Sequence, residues 1–324
     1  MVTKKWLDVP LSLAGKRIWV AGHNGMVGSA LTRQLEKFPC HILTVSRDAL
    51  DLTRQSDVED WVADNKPDMI IIAAAKVGGI GANSTYPAQF YYQNTMIATN
   101  IMHSAYLSGV ERVLFLGSSC IYPRESQLPV KEDALLSGEL EKTNEAYALA
   151  KIGALKMAQF YRNEYGCDFI SAMPCNLYGV GDHYDVNNSH VIPSLIMKAH
   201  KAKIDKVDYM TIWGSGNPLR EFLCVDDLAS ALVIILQEYS DIGHINIGSG
   251  REVAIKKLAS VVCEVVEYKG ELVFDEEKPD GVYRKVLDTQ QMFEVGWRPE
   301  IQLKDGIHKC YDDFLERYGD GKGD

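Results

Sequence analysis

The sequence predicts an α/β protein in which helices cover both faces of a doubly wound parallel sheet. Short apolar runs alternate with helical spans from Arg17 to Met173, and the first run leads directly into a cluster of glycines. A strand of a parallel sheet is buried on both faces and therefore reads as consecutive apolar residues, and parallel neighbours require a helical crossover. The predicted strands are residues 17–21, 42–45, 68–75, 112–117 and 168–173, and helices are predicted from the glycine cluster through residue 37 and over residues 93–108 and 144–165.

The pattern changes after Pro174, where the regular alternation of strands and helices stops. Residues 178–188 are rich in Gly, Asp and Asn and predict a long loop, yet sheet-like segments return at 221–225 and 244–247. We therefore expect the later chain to pass in and out of the first domain. The first domain is predicted to comprise residues 1–177 plus about 221–248, and a smaller, interleaved α/β lobe to comprise about 178–220 plus 249–324, with a turn at 278–281 and a last helix over 303–318.

Composition argues against several classes of protein for this chain, among them nucleic-acid-binding, disulfide-rich and membrane-spanning proteins. The 324 residues carry a net charge of -10, which disfavours binding to a nucleic acid but leaves small phosphorylated ligands open. Seven cysteines without a CxxC pair favour reduced thiols in the cytoplasm over a disulfide framework, and no metal site is predicted. No apolar run approaches the roughly 20 residues that would span a bilayer, so we expect no membrane partner.

The glycines follow the spacing G-x-x-G-x-x-G between the first predicted strand and helix. Gly22 permits a tight turn, Gly25 lets the backbone approach a pyrophosphate, and Gly28 allows the helix to pack closely on the strand. The helix N-terminus, which includes Met26 and Val27, adds partial positive charge. An ordinary turn is the alternative, but the position at the start of a strand–helix–strand unit favours a dinucleotide cofactor.

The residues after the second strand indicate which dinucleotide binds. NAD sites usually place an acidic residue there to bind the ribose 2′-hydroxyl, whereas Ser46 and Arg47 occupy this place here. A guanidinium suits a 2′-phosphate, so the sequence favours NADP(H), with Asp51 and Leu52 near its adenine end. A solvent-facing arginine in a loop is the alternative interpretation.

A serine at the end of the fourth strand and a Tyr-x-x-x-Lys pair predict a hydride-transfer site. Ser118 lies at the carboxyl edge of the sheet, where open α/β sheets bind ligands. Tyr147 and Lys151 are four residues apart on one helical face, and a phenol needs a nearby cation to act as an acid–base catalyst at neutral pH. An exposed helix face is the alternative. The residues at this edge that are also expected to border the cofactor are Leu116, Gly117, Ser119 and Lys151.

Eight segments between residues 22 and 288 resemble the extended short-chain dehydrogenase/reductase family. Two of them, AAAKVGGIGANSTYPAQF and FLGSSCIYP, are far more specific than the glycine motif. The resemblance implies a Rossmann-type sheet that binds NADP, a lobe that binds a nucleotide-sugar, and a homodimer packed through the helices around Gln93 and Tyr147. The other segments are GHNGMVGSAL, TNEAYALAK, MPCNLYG, NSHVIP, WGSGNPLREFLCVDDLA and KPDGVYRKVLD.

Within this family the chain resembles enzymes that act on a GDP-linked keto-sugar. The resemblance implies epimerisation at C3 and C5 followed by NADPH-dependent reduction at C4, which converts GDP-4-keto-6-deoxy-D-mannose to GDP-L-fucose. A C4 ketone acidifies the hydrogens on C3 and C5, and a thiol and an imidazole suit proton transfer near neutral pH. By resemblance, the reductive residues are Ser118, Tyr147 and Lys151, the acid–base pair is Cys120 and His190, the nicotinamide is bordered by Pro174, Cys175, Asn176, Leu177 and His190, and the GDP-sugar is bound by Lys198, Trp213, Arg220 and Asp280.

One position departs from the family pattern, and two other functions stay open. Asn24 stands where relatives often carry an arginine that helps to hold the 2′-phosphate, which leaves Arg47 as the candidate and weakens the expected preference for NADP. The alternatives are a related nucleotide-sugar epimerase that keeps NAD tightly bound and a non-catalytic NADP-sensing protein. The stretch after Ser118 lacks the acidic residues typical of a dehydratase, and the retained Tyr147 and Lys151 disfavour a sensor.

Overall fold

The computed structural model describes residues 5–185, 189–278, 280 and 282–319. Predictions that concern residues 1–4, 186–188 of the loop, 279 and 281 of the turn, and 320–324 lie outside the described residues. The strands are β1 (Arg17–Ala21), β2 (His41–Leu43), β3 (Met69–Ile72), β4 (Arg112–Leu116), β5 (Asp168–Pro174), β6 (Asn176–Tyr178), β7 (Tyr209–Trp213), β8 (Leu219–Cys224), β9 (His244–Ile247), β10 (Glu252–Ala254), β11 (Glu271–Asp275) and β12 (Arg284–Lys285). The helices are α1 (Met26–Leu35), α2 (Gln55–Asn65), α3 (Ile80–Thr85), α4 (Pro87–Leu107), α5 (Glu145–Tyr165), α6 (Val191–Ile204), α7 (Val225–Glu238), α8 (Ile255–Val266), α9 (Gln290–Glu294) and α10 (Leu303–Tyr318).

Six strands form a central sheet in which every neighbouring pair is parallel, in the order β2-β1-β3-β4-β5-β9. Every residue of β3 and β4 is buried, as expected for strands with helices on both faces. The predicted α/β class with a doubly wound parallel sheet is therefore confirmed. The strand order reverses between β1 and β3, and a sheet of this kind binds ligands in the crevice at that point, outside the carboxyl ends of its strands.

The bounds of two elements differ most from the sequence-based prediction. The third strand ends at Ile72 rather than at Ala75, because the register with its partner β1 ends at Ala21. The helix expected from Gln93 begins earlier, at Pro87. Proline is favoured in the first turn of a helix, because a backbone N–H there would have no partner within the helix. An apolar run thus predicts that a strand exists but not where its partner stops.

A second hydrophobic core lies outside the central sheet, among α6, α8, α10, β7 and β8. β8 pairs with β6, β10 and β12 in a four-stranded sheet, and β7 pairs with β11. The sequence predicts sheet-like segments at 221–225 and 244–247. The second of them, β9, joins the central sheet beside β5, whereas the first, β8, pairs with β6 after the chain has left the central sheet at Cys175. The domain division at residues 178, 221 and 248 remains a prediction.

An ion pair joins the amino ends of β4 and β5. Arg112, the first residue of β4, is 1% exposed, and its Nε and Nη2 atoms donate to Asp168 of β5, at 2.7 Å from Nε. Its Nη1 atom donates to the Leu236 carbonyl at 2.7 Å, and Asp168 also accepts from Arg162 at 2.5 Å and from Ser240 at 2.8 Å. Desolvation raises the pKa of Asp168, but the two guanidinium groups outweigh it and the pKa is lowered. This network aligns the two strands whose carboxyl ends lead into the predicted site.

We predict that Asp168→Asn destabilises the fold much more than loss of a surface ion pair does. The Arg112 guanidinium would stay buried without its anion, so the free energy of unfolding should fall by about 3 kcal/mol in urea denaturation at pH 7. Asp226→Asn is the matched control, because Asp226 pairs at the surface with Arg33 and Lys309 and its loss should cost less than about 1 kcal/mol. Equal losses for the two variants would contradict the structural role of the network.

Candidate active site

The turn between β1 and α1 forms a cradle that only glycine fits. Gly22 has a φ of +92°, and a Cβ atom on it would lie 2.6 Å from the amide nitrogen of Ala74. A Cβ atom on Gly28 would lie 2.0 Å from the Gly22 carbonyl oxygen, so α1 packs directly on the turn. Gly25 precedes α1, whose first turn contains no acidic residue. The amides and partial positive charge of this helix start fit the pyrophosphate of a dinucleotide.

Arg47 lies where the sequence predicts a partner for a 2′-phosphate. It follows β2, the neighbour of β1 in the sheet, and its side chain is exposed. Asp51 accepts hydrogen bonds from the amide of Thr53 at 3.0 Å and from its hydroxyl at 2.8 Å. These bonds, followed by the charges of Arg54 and Arg47, lower the pKa of Asp51 and hold its carboxylate in a local turn. Contact of Arg47, Asp51 and Leu52 with the adenine end of the cofactor remains a prediction.

The ammonium of Lys151 is buried where α5 meets the end of β4. The residue is 5% exposed, and its Nζ atom donates to the Leu116 carbonyl at 2.8 Å. The same atom lies 4.9 Å from the centroid of the Phe115 ring and 5.7 Å from that of the Tyr147 ring, within range of cation–π attraction. Desolvation lowers the pKa of Lys151 to about 8, against an opposing effect of Cys120. The lysine is therefore mostly charged at pH 7 and links Tyr147 to the strand end.

Tyr147 is half-buried, one helical turn before Lys151, with its ring edge against Phe90 at 6.3 Å between centroids. Desolvation raises its pKa, and the charge of Cys120 adds to this rise. Lys151 donates to the Leu116 carbonyl rather than to the phenol, so desolvation sets the direction of this shift, and stabilisation of the phenolate by the ammonium remains a prediction. The phenol is protonated at neutral pH, which is the form that a proton donor requires.

A 3₁₀ turn over Ser119–Ile121 places Ser118 and Cys120 beside this pair, because the turn packs against α5. The Ser118 hydroxyl oxygen accepts from the amide of Cys120 at 3.4 Å and caps the turn. Cys120 is 8% exposed, and burial raises the pKa of its thiol. The charge of Lys285, a hydrogen bond with Ser118 and the charge of Lys151 act in the opposite direction. The thiol is therefore protonated at neutral pH, with two cations near enough to stabilise its thiolate.

His190 precedes α6, and the residue as a whole is exposed although protein surrounds its imidazole. Desolvation by the surrounding protein lowers the pKa of the imidazole, and the charge of His183 lowers it further. The ring is therefore neutral at pH 7 and can accept a proton. In the described part of the chain no hydrogen bond joins His190 to Cys120, so their pairing remains a prediction.

The predicted border of the nicotinamide lies where the central sheet meets the second sheet. Pro174 ends β5, and Asn176 and Leu177 lie in β6. Cys175 between them is buried, and desolvation followed by the charge of Glu221 raises its pKa well above the ordinary value. The Asn176 side-chain amide donates to the Glu221 carbonyl at 2.9 Å and ties this border to β8. The contact of these residues with a cofactor remains a prediction.

Two of the predicted substrate residues, Trp213 and Lys198, lie together at an exposed indole, and Asp280 braces the loop that follows. Trp213 at the end of β7 is 69% exposed, and the Lys198 ammonium lies 5.4 Å from its ring centroid. Asp280 accepts from the amide of Ser215 at 2.9 Å and from its hydroxyl at 2.7 Å. Lys278, which the sequence analysis missed, lies 5.9 Å from the same indole. An indole flanked by two ammonium groups offers a surface for a base and charges for phosphates.

Arg220, the fourth predicted substrate residue, stands beside Lys285, which the sequence analysis also missed. The two are register partners on β8 and β12 and so project from the same face of the second sheet. Desolvation lowers the pKa of both, and the charge of Arg220 lowers that of Lys285 further. Neither forms a salt bridge within the described residues, so the pair suits a diphosphate. Only the strand pairing reveals Lys285, because a lysine in RKVLD carries no signal of its own.

Further features of the described residues bear on cofactors and location. The seven cysteines are all free thiols. Over the described ranges, no three His, Cys, Asp or Glu side chains are grouped so that they could hold a metal ion. None of the helices in these ranges has the length and apolarity needed to cross a bilayer.

Comparison with known proteins places the chain in a family. The NAD dependent epimerase/dehydratase family matches residues 18–248. GDP-L-fucose synthase from Sinorhizobium fredii is 53% identical over 95% of this chain and 98% of its own length, and that from Escherichia coli is 45% identical over 94% and 98%. The crystal structure of a GDP-L-fucose synthetase from Naegleria fowleri bound to NADP has a TM-score of 0.91 at 25% identity and covers 98% of this chain and 100% of that one. The chain belongs to the NAD dependent epimerase/dehydratase family and, within it, to the GDP-L-fucose synthases.

Proposed function

We propose that this protein converts GDP-4-keto-6-deoxy-D-mannose to GDP-L-fucose by epimerising C3 and C5 and reducing C4 with NADPH. The observation that carries the proposal is the assembly of a phenol, a hydroxyl and a thiol around one buried ammonium at the end of β4. A C4 ketone next to these groups accounts for both steps, because it acidifies the hydrogens on C3 and C5 and accepts hydride at C4. The relatives named GDP-L-fucose synthase support this substrate.

The nicotinamide cofactor in this proposal is NADP(H). The glycine turn and the first residues of α1 would hold its pyrophosphate, and Arg47 would bind its 2′-phosphate without a second guanidinium at Asn24. The solved relative that is bound to NADP supports this choice. When bound, the cofactor supplies the hydride. The residues that would line the rest of its site are Asp51, Leu52, Leu116, Gly117, Ser119, Lys151, Pro174, Cys175, Asn176, Leu177 and His190.

Two groups of cations would hold the GDP-sugar. Trp213 and Lys198 would receive the nucleotide, with Asp280 fixing the adjoining loop through Ser215. Arg220 and Lys285 would bind the diphosphate from neighbouring strands. The charge of Lys285 also acts on Cys120, so a diphosphate held there would bring the sugar ring towards the end of β4.

Cys120 and His190 would perform the two epimerisations. At neutral pH the thiol is protonated and the imidazole is not, because desolvation raises the first pKa and lowers the second, so the site holds one acid and one base. In the D-manno ring the hydrogens on C3 and C5 are axial on the same face. One base on that face and one acid on the opposite face would therefore invert both carbons. Lys285 and Lys151 would stabilise the thiolate left after proton donation.

Tyr147 would end the reversible phase by donating its proton to O4 as hydride reaches C4. Ser118 would hold the carbonyl oxygen next to the phenol. The ammonium of Lys151, mostly charged at pH 7, would stabilise the phenolate that remains. In balance, NADPH and one proton are consumed and NADP⁺ is released, while the C4=O4 double bond becomes a single bond with a new C–H bond at C4 and a new O–H bond at O4.

We also propose that the protein works as a homodimer in the cytoplasm. The adjacent helices α4 and α5 expose several large apolar side chains, and a surface of this kind marks an interaction site. Seven free thiols support a reducing compartment. The exposed side chains on the two helices are Tyr91, Tyr92, Leu107, Leu149, Phe160 and Tyr165.

The direct test of the function is incubation of the purified protein with GDP-4-keto-6-deoxy-D-mannose and NADPH. We expect NADPH absorbance to fall and NMR to identify GDP-L-fucose as the product. Unchanged NADPH with solvent deuterium entering the sugar would point instead to an epimerase that retains bound NAD. A protein inert in both assays would point to an NADP sensor.

Replacement of the phenol should separate the two steps. Tyr147→Phe removes the proton donor for O4 but leaves the thiol and imidazole in place, so NADPH oxidation should fall by at least about 100-fold while deuterium exchange at C3 or C5 persists. Tyr209→Phe, at an exposed tyrosine of β7, is the matched control and should leave both rates unchanged. Loss of exchange along with reduction in Tyr147→Phe would argue against separate acid–base groups.

Replacement of the thiol should block the first step. A serine hydroxyl is a far weaker acid than a thiol, so Cys120→Ser should abolish deuterium exchange at C3 and C5 measured by NMR in D₂O. Cys40→Ser changes a thiol that contacts the Leu35 carbonyl at the opposite end of the sheet, and exchange should continue in it. Unchanged exchange in Cys120→Ser would remove Cys120 from the mechanism.

A further inference from the structure

Glu221 is a buried carboxylate at the point where the proposed substrate site is built. It lies in β8, next in the chain to Arg220, and is 1% exposed. Arg220 and Lys285 project from one face of the second sheet, and strand alternation directs Glu221 to the opposite face. A buried carboxylate is retained only where hydrogen bonds or cations compensate for its desolvation. No salt bridge holds Glu221 among the described residues, so its hydrogen bonds carry that compensation.

The hydrogen bonds of Glu221 join three separate segments. Its carboxylate accepts from the amide of Gly250 at 2.7 Å and from the amide of Leu287 at 2.9 Å, with a further backbone bond from Ser249. Ser249 and Gly250 lie between β9 and β10, and Leu287 follows β12. The Glu221 backbone carbonyl accepts from the Asn176 side chain at 2.9 Å. One residue thus connects the end of the central sheet, the strand that carries Lys285 and the predicted nicotinamide border.

The backbone of Gly248 packs closely against this carboxylate. A Cβ atom on Gly248, directly after β9, would lie 2.3 Å from Oε1 of Glu221 and 3.0 Å from its Oε2. The glycine lets the end of the central sheet approach the carboxylate closely enough for the amides of Ser249 and Gly250 to reach it. The contact therefore depends on two residues, the glycine directly after β9 and the glutamate on β8.

We propose that Glu221 is a positioning residue for the GDP-sugar, which acts by holding β12 and the β9–β10 turn against β8 and so fixes Lys285 beside Arg220. The inference deepens the proposed function and rests on it. The residue touches neither substrate nor cofactor in this account. It determines the positions of Arg220 and Lys285 relative to the predicted nicotinamide border.

If Glu221 positions the two cations, binding of the GDP-sugar should depend on the protonation state of Glu221, which a merely structural role does not require. Desolvation raises the pKa of the carboxyl to about 7, against the opposing hydrogen bonds from Leu287, Gly250 and Ser249. The other ionisable groups around it are Cys175 at the β5–β6 junction and Glu252 on β10, with the cations Arg220 and Lys285 across the sheet. A protonated carboxyl accepts fewer hydrogen bonds. The backbone hydrogen bonds to Glu221 should therefore persist above pH 7 and weaken as the pH falls below it.

The test measures binding of GDP-D-mannose to the NADP⁺-loaded protein by calorimetry at pH 7.5 and pH 6.0. We expect about fivefold weaker binding at pH 6.0 in the unmodified protein. Glu221→Gln should bind about tenfold more weakly at pH 7.5, equivalent to about 1.4 kcal/mol, with no change between the two pH values. NADP⁺ affinity should stay within about twofold in this variant, because the glycine cradle is untouched.

Two further variants make the test specific. Gly248→Ala should weaken GDP-D-mannose binding in the same direction, because it displaces the carboxylate without removing its charge. Glu264→Gln, at an exposed glutamate of α8 that pairs with Lys304, should leave binding unchanged.

The inference is overturned if Glu221→Gln retains NADP⁺ affinity and binds GDP-D-mannose as the unmodified protein does at both pH values. If that variant does not fold, equal binding by the unmodified protein at pH 6.0 and 7.5 overturns it. Failure of the unmodified protein to bind GDP-D-mannose at either pH would instead count against the proposed function, and this inference would fall with it.

Discussion

The hydrogen bond from the buried Lys151 ammonium to the Leu116 carbonyl is the constraint on which the proposed chemistry depends. A lysine that is 5% exposed loses its hydration, and the bond to Leu116 and the aromatic faces of Phe115 and Tyr147 compensate for part of that loss. The bond fixes α5 against the last residue of β4. Because Tyr147 lies one turn away on that helix, the same contact sets the phenol beside the 3₁₀ turn that carries Cys120. One interaction thereby brings the phenol proposed for the reduction and the thiol proposed for the epimerisation to one place.

The substrate lobe meets this centre through a change of sheet. The chain crosses from β5 to β6 at Cys175, and β8 pairs with β6 rather than joining the central sheet. This crossing brings Lys285 on β12, the register partner of Arg220 on β8, near enough to Cys120 for its charge to act on the thiol. The cations proposed to hold the diphosphate therefore come from the second sheet, whereas the thiol proposed to move a proton lies in the 3₁₀ turn that follows β4 of the central sheet.

Much of the fold, and the close approach at the glycine turn, could be predicted from the sequence because these features have local signals. The glycine spacing reflects a close approach that the structure contains at Gly22 and Gly28, and apolar runs mark buried strands because both faces are covered. Lys285 and Glu221 had no such signal. Their surroundings arise from strand pairing and hydrogen bonds between segments that are distant in the chain, which periodicity does not encode. The raised pKa of Tyr147 was missed for a related reason, since spacing reveals that a lysine is near but not that the lysine is itself desolvated.

The most direct test of the central constraint is the pH dependence of single-turnover hydride transfer in the unmodified protein and in Lys151→Met. The account predicts that the rate constant of the unmodified protein declines as pH rises through about 8, because the lysine must be charged to stabilise the phenolate. Lys151→Met should be slower by about 100-fold and flat between pH 7 and 9. A Lys151→Met variant that transfers hydride at the unmodified rate, or that keeps the same decline near pH 8, would contradict the account.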